Sequence, residues 1–327
     1  MIKNFLNLLF SVIAFVSLLA GCQKEVADGT VSGERVSLKV SVPGVETRLV
    51  SGFDDELANN YQIFLFNEDG VIEDYVNQDS PSVEFDCTVG QKTIVALVNA
   101  PDYSDLMDSN VLFQTVSSLT DNSPTSFVMS GYSVIELRSN EKRNVSINVT
   151  RKVAKVELSG LEVDMDIPQY REKTFKVSSV YLINVSAETP YFETVAPTLW
   201  YNKLGYASED ANELIYDDMG GLEITPESPY TAKNTFYCYA NNTEKDTFDT
   251  TWSPRRTRLV VEAMLGDQTY YYPVTLPIIA QNKIYKVFLT ITRPGSESPD
   301  SVIDKFSIGC SVSIRDWEQG GTVTEEI

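Results

Sequence analysis

Carboxylates are the most abundant charged side chains of this chain, and histidine is absent from all 327 residues. Asp and Glu number 46 against 26 Lys and Arg, which gives a formal net charge of −20. Without an imidazole the chain has no Ser-His-Asp or Cys-His nucleophile and no His-ligated zinc or haem. The negative charge also argues against nucleic acid as a partner, since Lys and Arg supply most of the affinity for phosphates.

Paired carboxylates remain, because they can hydrolyse glycosides or bind calcium without histidine. The densest groups are Asp54-Asp55-Glu56, Glu162/Asp164/Asp166 and Asp217-Asp218. In the second group the acids alternate with Val163 and Met165, which predicts that they line the solvent face of a strand. No group has the spacing of an EF-hand loop. We therefore expect no metal site, no cofactor and no enzyme activity, with a lipid-anchored glycosidase as the alternative.

Aromatic and basic side chains offer two further candidate binding groups. Arg255-Arg256 beside Trp252 could bind a sugar or an anion, although a surface loop is the simpler interpretation. The run Tyr270-Tyr271-Tyr272 could stack on carbohydrate, yet alternation places the middle tyrosine on the opposite face of a strand from its neighbours. The sequence therefore favours cross-strand packing over a sugar site.

Cys87, Cys238 and Cys310 each lie in an alternating strand pattern. Three thiols cannot all pair with one another, and no CxxC spacing is present. Free Cys behaves as a small buried hydrophobe. We therefore expect three core thiols, with a single disulfide as the alternative.

The elements that hold these residues begin with an export signal. Lys3 precedes an uncharged apolar run from Phe5 to Ala20, which at ~16 residues is shorter than the ~20 that span a bilayer. The run ends in Leu19-Ala20-Gly21-Cys22, which resembles a bacterial lipobox. We predict that residues 1–22 are a lipoprotein signal peptide and that a lipid on Cys22 attaches the exported chain to the outer membrane; plain secretion is the alternative.

Short strands with period-two alternation follow a polar tether and fill the rest of the chain. The candidates are 36–42, 62–66, 71–76, 82–89, 92–98, 126–129, 132–137, 144–149, 153–158, 175–184, 222–224, 234–240, 258–264, 268–274, 283–292 and 306–317. Each is rich in β-branched and aromatic residues and is bounded by turn residues. We predict an all-β fold of two Greek-key β-sandwich domains in tandem, 49–150 and 151–327, which continuous strand character over 144–158 joins stiffly.

The two ends of the chain carry matching apolar rows. The first strand places Val36, Leu38, Val40 and Val42 on one face, and the last places Ile308, Cys310, Val312 and Ile314 on one face with Trp317 beyond. Either row could fill the same pockets of an open sheet. A trypsin-like cut after Arg48 would free the first strand, and the Pro294 to Pro299 linker or Gly320-Gly321 would make the tail mobile. The alternative is that both strands pack only within their own chain.

Several segments together resemble the fimbrillins of Bacteroidetes-type (type V) pili. They are the lipobox, IFLFNEDG at 63–70, TIVALVN at 93–99, Met129-Ser130-Gly131, RKVAKVEL at 151–158, FKVSSVYLIN at 175–184 and the Val312 to Gly320 ending. The resemblance implies two transthyretin-like β-sandwich domains. It also implies export as a lipoprotein, removal of residues 23–48 by an arginine-specific protease, and polymerisation by donor-strand exchange through the tail at 306–327.

Carried over by residue, the resemblance makes Cys22 the lipidation site, Arg48 the residue before the cut and Leu49 the first mature residue. The displaced strand would be the first strand, with its apolar row that begins at Val36. The donor strand would be the last strand, with its apolar row that begins at Ile308. Fimbrillins often have a small residue after the scissile Arg, so Leu49 is a departure. We predict a non-enzymatic pilus subunit at the cell surface that contributes to adhesion and biofilm formation, with an uncleaved anchor or a tip adhesin as the alternative.

Overall fold

The computed structural model describes residues 34–43, 58–192, 196–203, 212–247, 251–301, 303 and 307–317. The predicted sites at Cys22, Arg48 and Leu49 lie outside these residues. The described residues from Arg35 onward belong to one compact unit. Its regular secondary structure is almost entirely β-strand, arranged in two sandwiches, which confirms the predicted fold class. No helix of the described chain is long and apolar enough to cross a membrane.

The first sandwich packs a three-stranded sheet against a five-stranded sheet. The small sheet has the order β4 (Ser82–Thr88), β1 (Arg35–Ser41), β8 (Arg143–Ser146). The large sheet has the order β3 (Ile72–Gln78), β2 (Tyr61–Phe66), β5 (Gly90–Val98), β7 (Met129–Leu137), β9 (Thr150–Arg151). Alternate side chains of both sheets meet in one core. Alternate residues of a strand point to the same face, so the apolar set of each strand is buried between the two sheets.

Strands β2 and β5 bury both faces over residues 63–66 and 94–98, which explains the unbroken apolar sequence of these segments. Ile63 and Leu65 point into the sandwich, whereas Phe64 and Phe66 point to the outside of the sheet. There they are covered by the segment around helix α1 (Ser109–Gln114) and by Tyr191. A strand covered on both sides needs no polar alternation.

The second sandwich packs two four-stranded sheets. One has the order β16 (Asn234–Tyr239), β10 (Val153–Val163), β19 (Lys283–Ile291), β20 (Ile308–Asp316). The other has the order β15 (Tyr216–Ile224), β11 (Phe175–Ile183), β17 (Arg258–Leu265), β18 (Gln268–Thr275). Their facing side chains form the largest core of the described chain.

Short elements connect the two sandwiches. Strand β6 (Val116–Ser118) pairs with β13 (Glu188–Pro190), and β12 (Val185–Ser186) pairs with β14 (Trp200–Tyr201). The remaining helices are a 3-10 turn (Leu119–Asp121), α2 (Pro168–Arg171) and α3 (Asn212–Ile215). Leu119 and Phe127, which precede the predicted domain boundary, are buried in the core of the second sandwich. The halves therefore share core residues as well as a peptide link.

Two expectations about strands need correction. The predicted strand at 126–129 is mostly irregular, because the strand begins only at Met129. The predicted continuous strand over 144–158 is broken after Ser146 and again around Lys152. The first break follows from the change of partners: β8 pairs with β1, whereas β9 pairs with β7 in the opposite sheet.

Gly131, the third residue of Met129-Ser130-Gly131, lies directly against the chain that follows β8, where a larger residue would not fit. A Cβ atom at this position would lie 2.2 Å from the carbonyl oxygen of Asn148 and 3.2 Å from a methyl carbon of Ile147. The chain after β8 thus crosses β7 in backbone contact. Only glycine allows this approach.

Candidate functional site

The first strand, β1, lies in the middle of its sheet and is held by both neighbours. It pairs antiparallel with β4 from Arg35↔Thr88 to Ser41↔Ser82, and parallel with β8 from Leu38↔Arg143 to Ser41↔Ser146. We call the space that β1 fills between β4, β8 and the large sheet the β1 groove. A strand in this position can leave only if its side chains and both hydrogen-bond ladders are replaced.

Four side chains of the β1 segment are buried in the groove, as the alternation predicts. Val36, Leu38, Val40 and Val42 are 5%, 0%, 0% and 2% exposed. They contact one continuous core whose other members include Phe85 of β4, Val145 of β8, and Ile63 and Leu65 of the opposite sheet. Full burial of one such aliphatic side chain stabilises the fold by roughly 1.5–3 kcal/mol.

The outer face of β1 carries polar contacts with β4. The Nε atom of Arg35 lies 2.8 Å from a carboxylate oxygen of Asp86, and the hydroxyl of Ser37 donates to Glu84 at 2.5 Å. Near its C-terminal end, the hydroxyl of Ser41 lies 3.2 Å from that of Ser146. The ion pair is exposed and contributes little to stability. The buried side chains of Val36, Leu38, Val40 and Val42 therefore provide most of the stabilisation of β1, and the polar contacts of its outer face add little.

Cys87 lies under the start of β1 and is fully buried. It is the partner of Val36 in the register, and its thiol donates weakly to the Val36 carbonyl oxygen at 3.7 Å. Burial, followed by the nearby charge of Glu73, raises the pKa of the Cys87 thiol to about 11. The thiol is therefore protonated and sealed while β1 is in place.

A buried ion pair lies close to this end of the groove, and the sequence did not point to it. The Lys92 Nζ atom is 2.6 Å from Glu73 Oε2 and donates to the Thr88 hydroxyl at 2.8 Å. Burial acts to raise the pKa of Glu73, but hydrogen bonds from Lys92 and Thr88 and the charge of Lys92 outweigh it, so the pKa is lowered. Thr88 links this pair to β1, because it is also the partner of Arg35.

The last strand, β20, lies at the edge of its sheet. It pairs antiparallel with β19 from Lys283↔Asp316 to Ile291↔Ile308. Ile308, Cys310, Val312 and Ile314 face the same side as the buried residues of β19, but the burial differs along the row. Ile308 is 9% exposed and Val312 packs partly against the core, whereas Cys310 is exposed and Ile314 is 51% exposed. Cys310 was expected to be a core thiol; that prediction is wrong, because no strand covers this edge in the described structure.

Trp317 anchors the end of β20 to its own chain. The indole is 5% exposed, stacks on Tyr237 with 5.9 Å between ring centroids and meets Phe127 edge-on at 5.4 Å. The guanidinium carbon of Arg151 lies 4.8 Å and the Lys155 Nζ atom 5.3 Å from the indole centroid. Cations placed over an indole face stabilise it further. The candidate donor row is thus weakly held in its middle and firmly held at Trp317.

The segment from Pro294 to Pro299 is not a free linker, contrary to expectation. Ser296 exchanges two backbone hydrogen bonds with Tyr271. Next to this segment, Asp300 accepts from the Arg255 guanidinium at 2.6 Å. These contacts fix the chain along β18, so this segment does not make the tail mobile.

The other residues that the sequence analysis considered do not form a chemical site. Arg255 is 1% exposed and pairs with Asp300, so it is not a surface-loop residue. Tyr272 is in the core and Tyr271 packs on the opposite face of its sheet, as the alternation predicts. Glu162, Asp164 and Asp166 are exposed. Among the described residues, no three Cys, Asp or Glu side chains are grouped closely enough to hold a metal ion.

Two tandem β-sandwiches, with a first strand buried in mid-sheet and a last strand at an edge, define the fold class of this chain. Solved structures of that class share this fold. A candidate cell adhesion protein of Bacteroides eggerthii superposes with a TM-score of 0.65 and 18% identity, covering 87% of this chain and 97% of that one. One from Parabacteroides distasonis gives a TM-score of 0.63 with 14% identity, covering 87% and 100%.

A fimbrilin of Porphyromonas gingivalis gives a TM-score of 0.61 with 16% identity, covering 86% of this chain and 97% of that one. No family model and no curated protein matches the sequence. The resemblance to fimbrillins is therefore confirmed at the level of the fold.

Proposed function

We propose that the chain is a structural subunit of a bacterial surface pilus. It is exported as a lipoprotein through Cys22, attached to the outer membrane, and cut between Arg48 and Leu49 by an arginine-specific protease. The cut subunit polymerises by donor-strand exchange with copies of itself or with other pilus subunits, and the fibre contributes to adhesion and biofilm formation. Its similarity in fold to a fimbrilin and to candidate adhesion proteins supports this role.

The observation that carries the proposal is the position of β1. This strand comes before Arg48 in the sequence, yet its apolar row lies in the core of the first sandwich. Removing it would expose the β1 groove, including Phe85 and Val145, and would leave β4 and β8 without their shared partner. An apolar groove of this kind binds an extended strand through main-chain hydrogen bonds and side-chain pockets.

The donor is supplied by the edge strand β20. Cys310, Val312 and Ile314 already alternate with polar residues, and they lose little burial when they leave their own sheet. Val312 and Ile314 each gain up to roughly 1.5–3 kcal/mol on entering a groove where they are fully buried. The main cost is the release of Trp317 from Tyr237 and Phe127 and of Ile308 from the core of its own sandwich.

A cleavage experiment tests the proposal. The chain without residues 1–22 is treated briefly with trypsin, and its size is followed by gel filtration and mass spectrometry. We expect a cut after Arg48 followed by detergent-resistant oligomers, while an Arg48→Gln control is not cut at residue 48 and stays monomeric. Monomers that persist after the cut would contradict strand exchange. A chain that resists the cut would instead be a membrane anchor or a terminating subunit, with β1 kept in its groove.

A substitution in the donor row is the second test. Because Ile314 is half exposed in the monomer, we expect Ile314→Asp to leave the melting temperature nearly unchanged and to abolish oligomer formation after the cut. Arg315→Asp is the matched control, since Arg315 is exposed and faces the opposite side of β20 from Ile314, and this variant should assemble normally. Equal assembly of the two variants would exclude Ile314 from the interface.

A further inference from the structure

We propose that the donor strand enters the β1 groove in a single register, with Ile308 at the position of Val36 and Ile314 at the position of Val42. This inference rests on the proposed strand exchange and specifies its interface. The incoming strand runs in the same direction as β1. Cys310 then takes the position of Leu38, and Val312 that of Val40.

The direction follows from the two ladders that β1 leaves open. β4 is antiparallel to β1 over seven residue pairs, and β8 is parallel to it over four. A donor that runs like β1 restores both hydrogen-bond patterns. A reversed donor would make the longer ladder parallel, which is the less stable pairing per residue.

The register is limited on one side by Asp316. The row that faces the core in β20 continues from Ile314 to Asp316. A shift of two residues that brings Cys310 to the position of Val36 would carry the Asp316 carboxylate to the position of Val42, which is 2% exposed. Burial of a carboxylate without a partner is strongly unfavourable.

The remaining registers of the donor strand are excluded by side-chain size or by polarity. A shift of two residues in the opposite direction would place Phe306 at the position of Val36, where a larger side chain overpacks the core, and would leave Ile314 beyond the groove. A shift of one residue would turn Ser311, Ser313 and Arg315 toward the core.

The proposed register also matches the groove in volume and in polar contacts. Ile, Cys, Val and Ile contain the same total number of side-chain heavy atoms as the Val, Leu, Val and Val that they replace. On the outer face, Ser313 takes the place of Ser41 and can repeat the contact of that hydroxyl with Ser146. Asp316 and Trp317 lie beyond the last pocket.

Cys87 makes the register measurable. It is the direct partner of the Val36 position, and opposite residues of antiparallel strands lie within the Cα distance that a disulfide spans. In the proposed register Ile308 lies opposite Cys87. Cys310 lies diagonally, at roughly 7–8 Å, which is beyond disulfide reach.

The experiment uses cut, assembled protein oxidised with diamide, which takes up the two electrons and two protons released when two thiols form a disulfide. Three chains are compared by non-reducing gel and peptide mass spectrometry: wild type with Cys310, Ile308→Cys/Cys310→Ser, and Ile314→Cys/Cys310→Ser. We expect Ile308→Cys to give at least tenfold more covalent dimer, linked to Cys87, than either other chain. A second pair tests the register independently: Val83→Cys and Val312→Cys in a Cys87→Ser/Cys310→Ser background. These two cysteines should form a disulfide, because Val83 is opposite the Val40 position that Val312 takes.

The outcomes separate the two levels of the proposal. If cut wild-type protein forms no oligomers in gel filtration, strand exchange itself fails. If it assembles but Cys310 links to Cys87, the tail is shifted by two residues and the register is wrong. A link from Ile314→Cys to Cys87 would show the reversed direction and would also overturn it.

Discussion

At the scale of single residues, burial separates three cysteines that share one sequence pattern. Cys87 and Cys238 are buried, and Cys310 is exposed at the edge of its sheet. Burial and the nearby charge of Glu73 raise the pKa of Cys87 to about 11, and burial raises that of Cys238 to about 12. Since the thiolate is the nucleophile, these two thiols should be inert near neutral pH.

Alkylation with iodoacetamide at pH 7.5 checks this expectation. We expect Cys310 to be modified first, and Cys87 and Cys238 to be modified only after unfolding in urea. After cleavage behind Arg48, Cys87 should become reactive while β1 is being exchanged for a donor strand, because the groove is then briefly open, whereas Cys238 stays protected as an internal control. Rapid modification of Cys87 in the uncut chain would contradict the sealed groove.

At the scale of elements, β1 and β20 show how neighbours decide what an apolar row does. Both have four apolar side chains at period two, but β1 lies between two strands and under an opposite sheet, whereas β20 has a partner on one side only. The same alternation is a core in one case and a half-exposed edge in the other. The row of β1 should therefore dominate the stability of the first sandwich.

Truncation of one side chain in β1 tests this difference. We expect Leu38→Ala to lower the free energy of unfolding of the uncut chain by about 2–5 kcal/mol, because Leu38 is fully buried and a cavity would remain. The neighbouring Lys39→Ala should change it by no more than about 0.5 kcal/mol, since Lys39 is exposed. Urea denaturation followed by circular dichroism measures both. Similar losses in the two variants would place β1 outside the cooperative core.

At the scale of the whole molecule, the two sandwiches are fastened by buried residues at their junction. Phe127 packs against Tyr237 with 4.5 Å between ring centroids, and Lys152 donates through Nζ to the Tyr191 carbonyl oxygen at 2.9 Å. Burial lowers the pKa of Lys152 to about 8. This ammonium group therefore opposes folding at neutral pH.

The sign of the pH dependence follows from that shift. Between pH 8 and about 10.5 the unfolded chain binds more protons at Lys152 than the folded chain, so stability from this residue rises with pH in that window. Below pH 8 the burial penalty is fully present. We expect the free energy of unfolding of wild type, relative to Lys152→Met, to increase by up to about 3 kcal/mol between pH 7 and pH 10.5. Paired urea titrations measure the difference, and a flat difference would mean that Lys152 is solvated.

Local chemistry made much of this protein predictable from its residues. Alternation located most of the strands, the buried face of β1 and the exposed acids at 162–166, because period two is a property of the strand itself. The resemblance to fimbrillins indicated the fold. The separate exposure of Cys310, the ion pairs of Lys92 and Arg255, and the tethered segment at 294–299 were not visible, since each depends on which distant strand lies alongside.

The sequence alone determined that the chain has alternating apolar strands at both ends, no imidazole and a strongly acidic composition, because these are properties of residues and their spacing. Only the tertiary structure decided that the first strand is enclosed and the last one is at an edge. Burial is set by the number of neighbours that the topology supplies. The topology places Cys87 opposite Val36, and the sequence places Asp316 at the end of the row that begins with Ile308; the two together define the proposed register.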